Sequence, residues 1–195
     1  MNVRKVNYKQ KDAPCEFTKS LKQTGFSILT NHPIKKDLID NVYVEWENFF
    51  NSSLKDKYLF DPIKQDGYFP FLTENAKGNS LKDLKEFYHI YPWGRYPTEI
   101  SDATKVLYSQ LLELTSTLLG WIQKETPEEV KSNFSVPLNE MIVDSKTNLL
   151  RIIHYPPLDG KEKDGAIRGA THEDINLITV LVAGTQPGLQ VKDTN

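Results

Sequence analysis

A chain of 195 residues, 38% hydrophobic and 26% charged, is long enough for one well-filled core and suits a soluble globular protein. Its formal net charge of -2 gives no electrostatic reason to expect nucleic acid or an anionic membrane as a partner. A single cysteine, Cys15, excludes an internal disulfide and any multi-thiolate zinc or iron–sulfur site within one chain, and with neither a signal-peptide core nor a membrane-length apolar run, a reducing cytoplasm is the expected compartment.

Phe17 and Leu21 at helical spacing predict a helix over 13–24, stopped by Gly25. Residues 26–30 alternate apolar and polar as a strand does, and Asn31-His32-Pro33 is a turn. Leu38, Ile39, Val42, Trp46, Phe49 and Phe50 mark one face of an amphipathic helix over 35–51, and a shorter helix follows Ser53. The stretch 61–97 is rich in Gly, Pro and aromatics; a strand is expected within 84–91 and ordered loop elsewhere. Tyr68, Phe87, Tyr88 and Trp93 are either the lining of a substrate pocket or plain core. A long helix over 101–124 presents Val106, Leu107, Leu111, Leu114, Leu118 and Trp121 on its apolar face. Thr126 and Pro127 read as the N-cap and first position of another helix. A strand over 148–155 is stopped by Pro156-Pro157, and a polar loop covers 158–165.

Thr171-His172-Glu173-Asp174 then leads into Ile175-Asn176-Leu177-Ile178-Thr179-Val180-Leu181-Val182, whose β-branched residues predict a buried strand. Side chains two apart on a strand share a face, so His172 and Asp174 offer a nitrogen and a carboxylate oxygen to one ion at the mouth of a core. That is two thirds of the 2-His-1-carboxylate set that holds non-haem Fe(II) with open positions. Glu173, on the other face, is expected outside the ligand set. Arg168 shares strand parity with His172; it is either solvated or faces the same cavity and binds an acidic substrate. A turn over 184–188 precedes a further strand starting at Leu189. A few strands cannot close a barrel alone, so this end reads as the beginning of a larger sheet, cut short near Asn195.

Three blocks carry a family resemblance: Gly25-Phe26-Ser27-Ile28-Leu29-Thr30-Asn31-His32-Pro33-Ile34; Asp66-Gly67-Tyr68 with the 84–94 segment; and Arg151-Ile152-Ile153-His154-Tyr155-Pro156-Pro157-Leu158 with the His172-Glu173-Asp174 stretch and Gly188-Leu189-Gln190-Val191. In that order they resemble the isopenicillin N synthase-like branch of the Fe(II)/2-oxoglutarate-dependent dioxygenases. The resemblance implies an α+β chain: an N-terminal helical region packed on an incomplete double-stranded β-helix, or jelly-roll. It divides the sequence into an N-terminal region at 1–97, a helical segment packing on the sheet at 98–145, and the first part of the jelly-roll at 146–195.

It also implies His172 and Asp174 as iron ligands. A distal histidine on a later strand would be the third, followed by an Arg-x-Ser motif that binds 2-oxoglutarate. His32, His89 and His154 all precede His172, so none matches the distal position. Tyr155 matches a family tyrosine whose hydroxyl reaches a co-substrate or substrate carboxylate; read by itself it is equally a core tyrosine at a strand end. Where the plant-type pattern has asparagine, this chain has Ile153. The implied activity is oxidation of a small organic substrate at a C–H bond, using Fe(II), 2-oxoglutarate and O₂. Two alternatives are an isopenicillin N synthase-like oxidase that does not use 2-oxoglutarate, and a non-catalytic fragment or degenerate binding module. Substrate and oligomeric state are not legible.

Overall fold

The structure, a computed structural model, describes residues 3–74 and 81–191. The chain divides into two compact units: Met1–Lys35 with Ser109–Asp144 and Asn176–Asn195, and Lys36–Tyr108 with Ser145–Ile175.

The first unit is built on a strand–helix–strand element. β1 (Lys5–Asn7) pairs in parallel with β2 (Ile28–Thr30), and α1 (Ala13–Thr24) connects them. Pro14 opens α1 where a missing N–H costs nothing. Gly25 closes it at φ 75°, the left-handed geometry a glycine adopts freely, with its N–H bonded to the Leu21 carbonyl at 2.7 Å. Phe17 is buried, and Trp121 lies against both Tyr8 and Phe17, at 5.1 and 5.8 Å between ring centres. Trp121 belongs to the long helix α3 (Ala103–Glu125), which buries Leu107, Leu111, Leu114, Leu118 and Leu119. Val106, placed on that face by its spacing, is instead exposed. Thr126 does not cap the short helix α4 (Glu128–Lys131): its hydroxyl donates back to the Ile122 carbonyl at 2.7 Å, and Pro127 holds the cap position.

The second unit contains α2 (Lys36–Phe50), a 3₁₀ turn at Ser53–Tyr58, and an antiparallel sheet in the order β3 (Gly67–Phe69), β4 (Glu86–Ile90), β5 (Leu150–His154). β3 lies in a stretch whose Gly, Pro and aromatics suggested loop. β4 is the central strand and is buried on both faces. On one face Tyr88 meets Trp46 and Phe49 of α2, at 5.0 and 5.8 Å. The Trp46 indole N–H, fully buried, donates to Thr104 Oγ1 at 2.9 Å. On the other face Phe60, Phe69 and Phe87 stack in a row, 4.3 and 4.5 Å apart. Tyr68, Phe87 and Tyr88 are therefore core, whereas Trp93 is partly exposed, stacked on Tyr91 and bonded to the Lys146 carbonyl at 2.7 Å.

Among the described residues the buried strand expected over 175–182 does not form, nor does the one expected from Leu189. Ile175, Leu177, Leu181 and Leu189 are all exposed. β-branched composition favours a pleated, half-buried surface, but a strand forms only where a neighbour accepts its backbone hydrogen bonds. Among the described residues this run has no such neighbour. Residues 192–195 lie outside the described residues.

Candidate metal centre

The stretch leading into His172 is tied to the residues just before β4. The Leu84 N–H donates to the Ile167 carbonyl at 2.9 Å, and the Ala170 N–H donates to Asp83 Oδ1 at 3.1 Å. Asp83 is buried, and its other oxygen accepts from Lys85 Nζ at 2.9 Å; Lys85, also buried, reaches Glu74 at 2.9 Å. Burial works to lower the Lys85 pKa, but the bonds to Asp83 and Glu74 outweigh it and hold the ammonium above its ordinary value. A buried cation between two carboxylates thus anchors the base of the stretch. Among the described residues Ala170 is the last buried one in the chain.

His172 follows two residues later. Its Nδ1 lies 2.8 Å from the Ala170 carbonyl. A carbonyl only accepts, so Nδ1 carries a proton, and in the neutral ring Nε2 is then the nitrogen with the lone pair. Nε2 lies 3.6 Å from Asp174 Oδ1. Two ligands on one ion at bonds of about 2.1 Å stand roughly 3–3.5 Å apart, so the pair is close to the spacing that one divalent ion requires. A metal-bound histidine usually gives its other N–H to a carbonyl or carboxylate, as His172 does. The donor set, one imidazole nitrogen and one carboxylate oxygen, suits Fe(II). The side chains of His172 and Asp174 are 54% and 52% exposed, so they do not sit at the mouth of a core. The strand parity that was to align Arg168, His172 and Asp174 is not realised. Among the described residues no cluster of three or more His, Cys, Asp or Glu side chains is placed to hold a metal.

Tyr155 follows directly on β5 and is partly exposed. The Arg168 guanidinium lies over its ring at 5.9 Å. A Cβ added at Gly169 would come within 3.9 Å of the Tyr155 hydroxyl, so the backbone ahead of His172 runs beside that ring. The four residues singled out from the sequence thus come together as two pairs, His172 with Asp174 and Tyr155 with Arg168.

Sequence reasoning missed the polar groups inside the sheet. Glu86, buried on β4, accepts from the Tyr68 hydroxyl, from Lys55 Nζ at 2.9 Å and from His154 Nδ1 at 2.7 Å. Burial pushes the Glu86 carboxyl up, and the bonds from Tyr68, His154 and Lys55 overcome this and bring it below its ordinary value. Burial first, and Glu86 second, push the Tyr68 hydroxyl pKa up. The available signal was a charged residue inside an apolar, aromatic run. Asp83 gave no such signal, because its partner at Ala170 lies 87 residues away.

Residues 9–108 match the family model described as the N-terminal region of the non-haem dioxygenase in morphine synthesis. The chain belongs to the non-haem Fe(II)/2-oxoglutarate dioxygenase family. It is similar to leucoanthocyanidin dioxygenase of Vitis vinifera, at 28% identity over 90% of this chain and 51% of that protein. It is also similar to a proline hydroxylase of Petromyces alliaceus, at 25% identity over 89% of this chain and 59% of that one. Among solved structures, a Shewanella oneidensis protein assigned as an oxygenase superposes with TM-score 0.80 at 46% identity, over 91% of this chain and 63% of the other. A Caulobacter crescentus protein assigned to the 2OG-Fe(II) oxygenase family shares the fold, with TM-score 0.61 at 24% identity over 84% and 58%. The mixed helix-and-sheet fold is thus that of these oxygenases. The chain spans about half the length of the curated relatives it matches.

Proposed function

We propose that the protein is an Fe(II)- and 2-oxoglutarate-dependent oxygenase of a small organic substrate, in the isopenicillin N synthase-like branch, with His172 and Asp174 as two of its iron ligands. The convergence of His172 Nε2 and Asp174 Oδ1 to 3.6 Å carries this reading. The relatives reported above include a dioxygenase and a hydroxylase. That favours the reading over an oxidase without 2-oxoglutarate and over a non-catalytic module. Residues 146–195 then form the first part of a jelly-roll, behind an N-terminal region at 1–97 and a helical segment at 98–145.

Iron, when bound, supplies coordination for 2-oxoglutarate and O₂ and couples oxidation of the one to oxidation of a substrate C–H bond. The chain's own residues orient and bind. His172 offers Nε2 because Nδ1 is engaged by Ala170. Asp174 contributes an anionic oxygen. Tyr155 would offer its hydroxyl to a carboxylate of the co-substrate. Arg168, laid on the Tyr155 ring, would present a cation to an acidic group of the substrate. No residue of these 195 matches the family's distal histidine and Arg-x-Ser, so these residues by themselves are expected to turn over little 2-oxoglutarate. The cytoplasm is the proposed compartment; among the described residues no helix is long and apolar enough to cross a membrane.

The test is succinate formation from 2-oxoglutarate by the whole protein with Fe(II) and O₂. His172→Ala and Asp174→Ala should each lower the rate on the order of 100-fold or more. Variants that keep the wild-type rate would overturn the assignment.

A further inference from the structure

We propose that Asp83 is a positioning residue for the His172–Asp174 pair, an inference that rests on the metal reading above. Asp83 touches neither ligand and acts through one residue, Ala170. Its Oδ1 accepts the Ala170 N–H at 3.1 Å, and the carbonyl of the same residue accepts the His172 Nδ1–H at 2.8 Å. The two bonds form a relay from a buried carboxylate to the ring proton of an exposed histidine.

The relay has a fixed direction at every link. Asp83 is itself held by Lys85, whose ammonium also binds Glu74, both at 2.9 Å. A carboxylate so held keeps its other oxygen available for a backbone N–H. Ala170 is buried, and the described residues after it, 171–191, are exposed or half-exposed. Asp83 is thus the side-chain anchor at the point where the stretch leaves the protein interior. A histidine ring in water prefers its proton on Nε2. That state would turn an N–H, not a lone pair, toward Asp174 and toward any cation. The Ala170 carbonyl favours the proton on Nδ1 instead, and Asp83 holds Ala170 by its N–H, across one Cα from that carbonyl. The chemical task assigned to Asp83 is selection of the Nδ1–H tautomer of His172.

The experiment is ¹⁵N–¹H correlation spectroscopy of the His172 ring in metal-free protein, at a pH where imidazole is neutral. The wild type should show the Nδ1–H tautomer as the major form and an Ala170 amide protected from exchange. In Asp83→Ala the Nε2–H form should become the major one. In Asp83→Asn, whose side-chain carbonyl still accepts from Ala170, the Nδ1–H form should persist. An anaerobic Fe(II) titration of the whole protein should show affinity lowered about 10–100-fold by Asp83→Ala and largely restored by Asp83→Asn. An unchanged tautomer in Asp83→Ala, or its loss in Asp83→Asn as well, overturns the proposal. If Asp83→Ala does not fold, rapid exchange of the wild-type Ala170 amide overturns it equally. The spectroscopic arm needs no metal, so a failure of the metal reading would leave it informative and separate.

Discussion

Arg151 donates its Nε–H to His89 Nε2 at 2.9 Å, across the β4–β5 pair where the two residues stand directly opposite. Because Nε2 accepts, the ring proton is on Nδ1, which donates to the Gln65 carbonyl at 2.9 Å. Both nitrogens are engaged, and a second proton on the ring would point at a guanidinium. Burial first, and Arg151 as a lesser cause, push the His89 pKa down to about 4, while the Gln65 carbonyl works against them.

A pH dependence of stability follows. The unfolded histidine takes up a proton near pH 6.5 and the folded one only near pH 4, so the stabilisation is complete above the first value and is lost as pH falls toward the second. Between pH 7 and pH 5 the protein should lose roughly 2 kcal/mol from this group. Urea unfolding of wild type and His89→Gln at the two pH values checks it. The variant should be less stable at pH 7 and show a smaller loss on acidification; identical pH slopes would count against the His89 assignment.

Glu86 should be the most costly polar residue of the sheet to remove. Glu86→Ala leaves Lys55, Tyr68 and His154 facing a buried position without their shared acceptor. Breaking a buried pair from one side costs about 3–5 kcal/mol. Glu86→Gln, which retains an oxygen acceptor, should cost less. Denaturant midpoints decide, and an alanine variant within about 1 kcal/mol of wild type would show the network to be dispensable.

Gly67 opens β3 at φ 101°, and a Cβ there would meet the Tyr58 carbonyl at 2.6 Å and Arg95 Nη2 at 2.7 Å. Arg95 cannot step aside freely, since its side chain and backbone N–H hold the buried Asp66 carboxylate at 2.7–3.2 Å. Gly67→Ala combines backbone strain with displacement of that ion pair and should cost about 3 kcal/mol. A thermal midpoint unchanged from wild type would contradict this packing.

The helices were legible because their periods are long enough to register. The Val42, Trp46, Phe49 and Phe50 spacing located α2 to within a residue at either end. β5 and β4 were legible as apolar runs, shorter in the structure than in the sequence. β1 and β3 went unseen, whereas β2, equally short, lies within the alternating run 26–30 that marked it. The opposite error arose over 175–182, where composition favoured a strand but no neighbour among the described residues receives it. At the site, His172 and Asp174 were visible from residue type and spacing. Asp83, Glu86 and the His89–Arg151 pair were not, because each depends on a partner distant in the sequence that only the fold brings close.

The central claim is that His172 and Asp174 bind iron, and paramagnetic broadening locates the ion directly. Fe(II) should be added anaerobically to protein with ¹⁵N-labelled histidines, and the ring signals of His32, His89, His154 and His172 followed separately. The account predicts that the His172 resonances broaden first, at the lowest Fe(II), and that Asp174→Ala abolishes this selectivity while His89 and His154, engaged by Arg151 and Glu86, stay sharp. Broadening of His32, His89 or His154 ahead of His172 would contradict it.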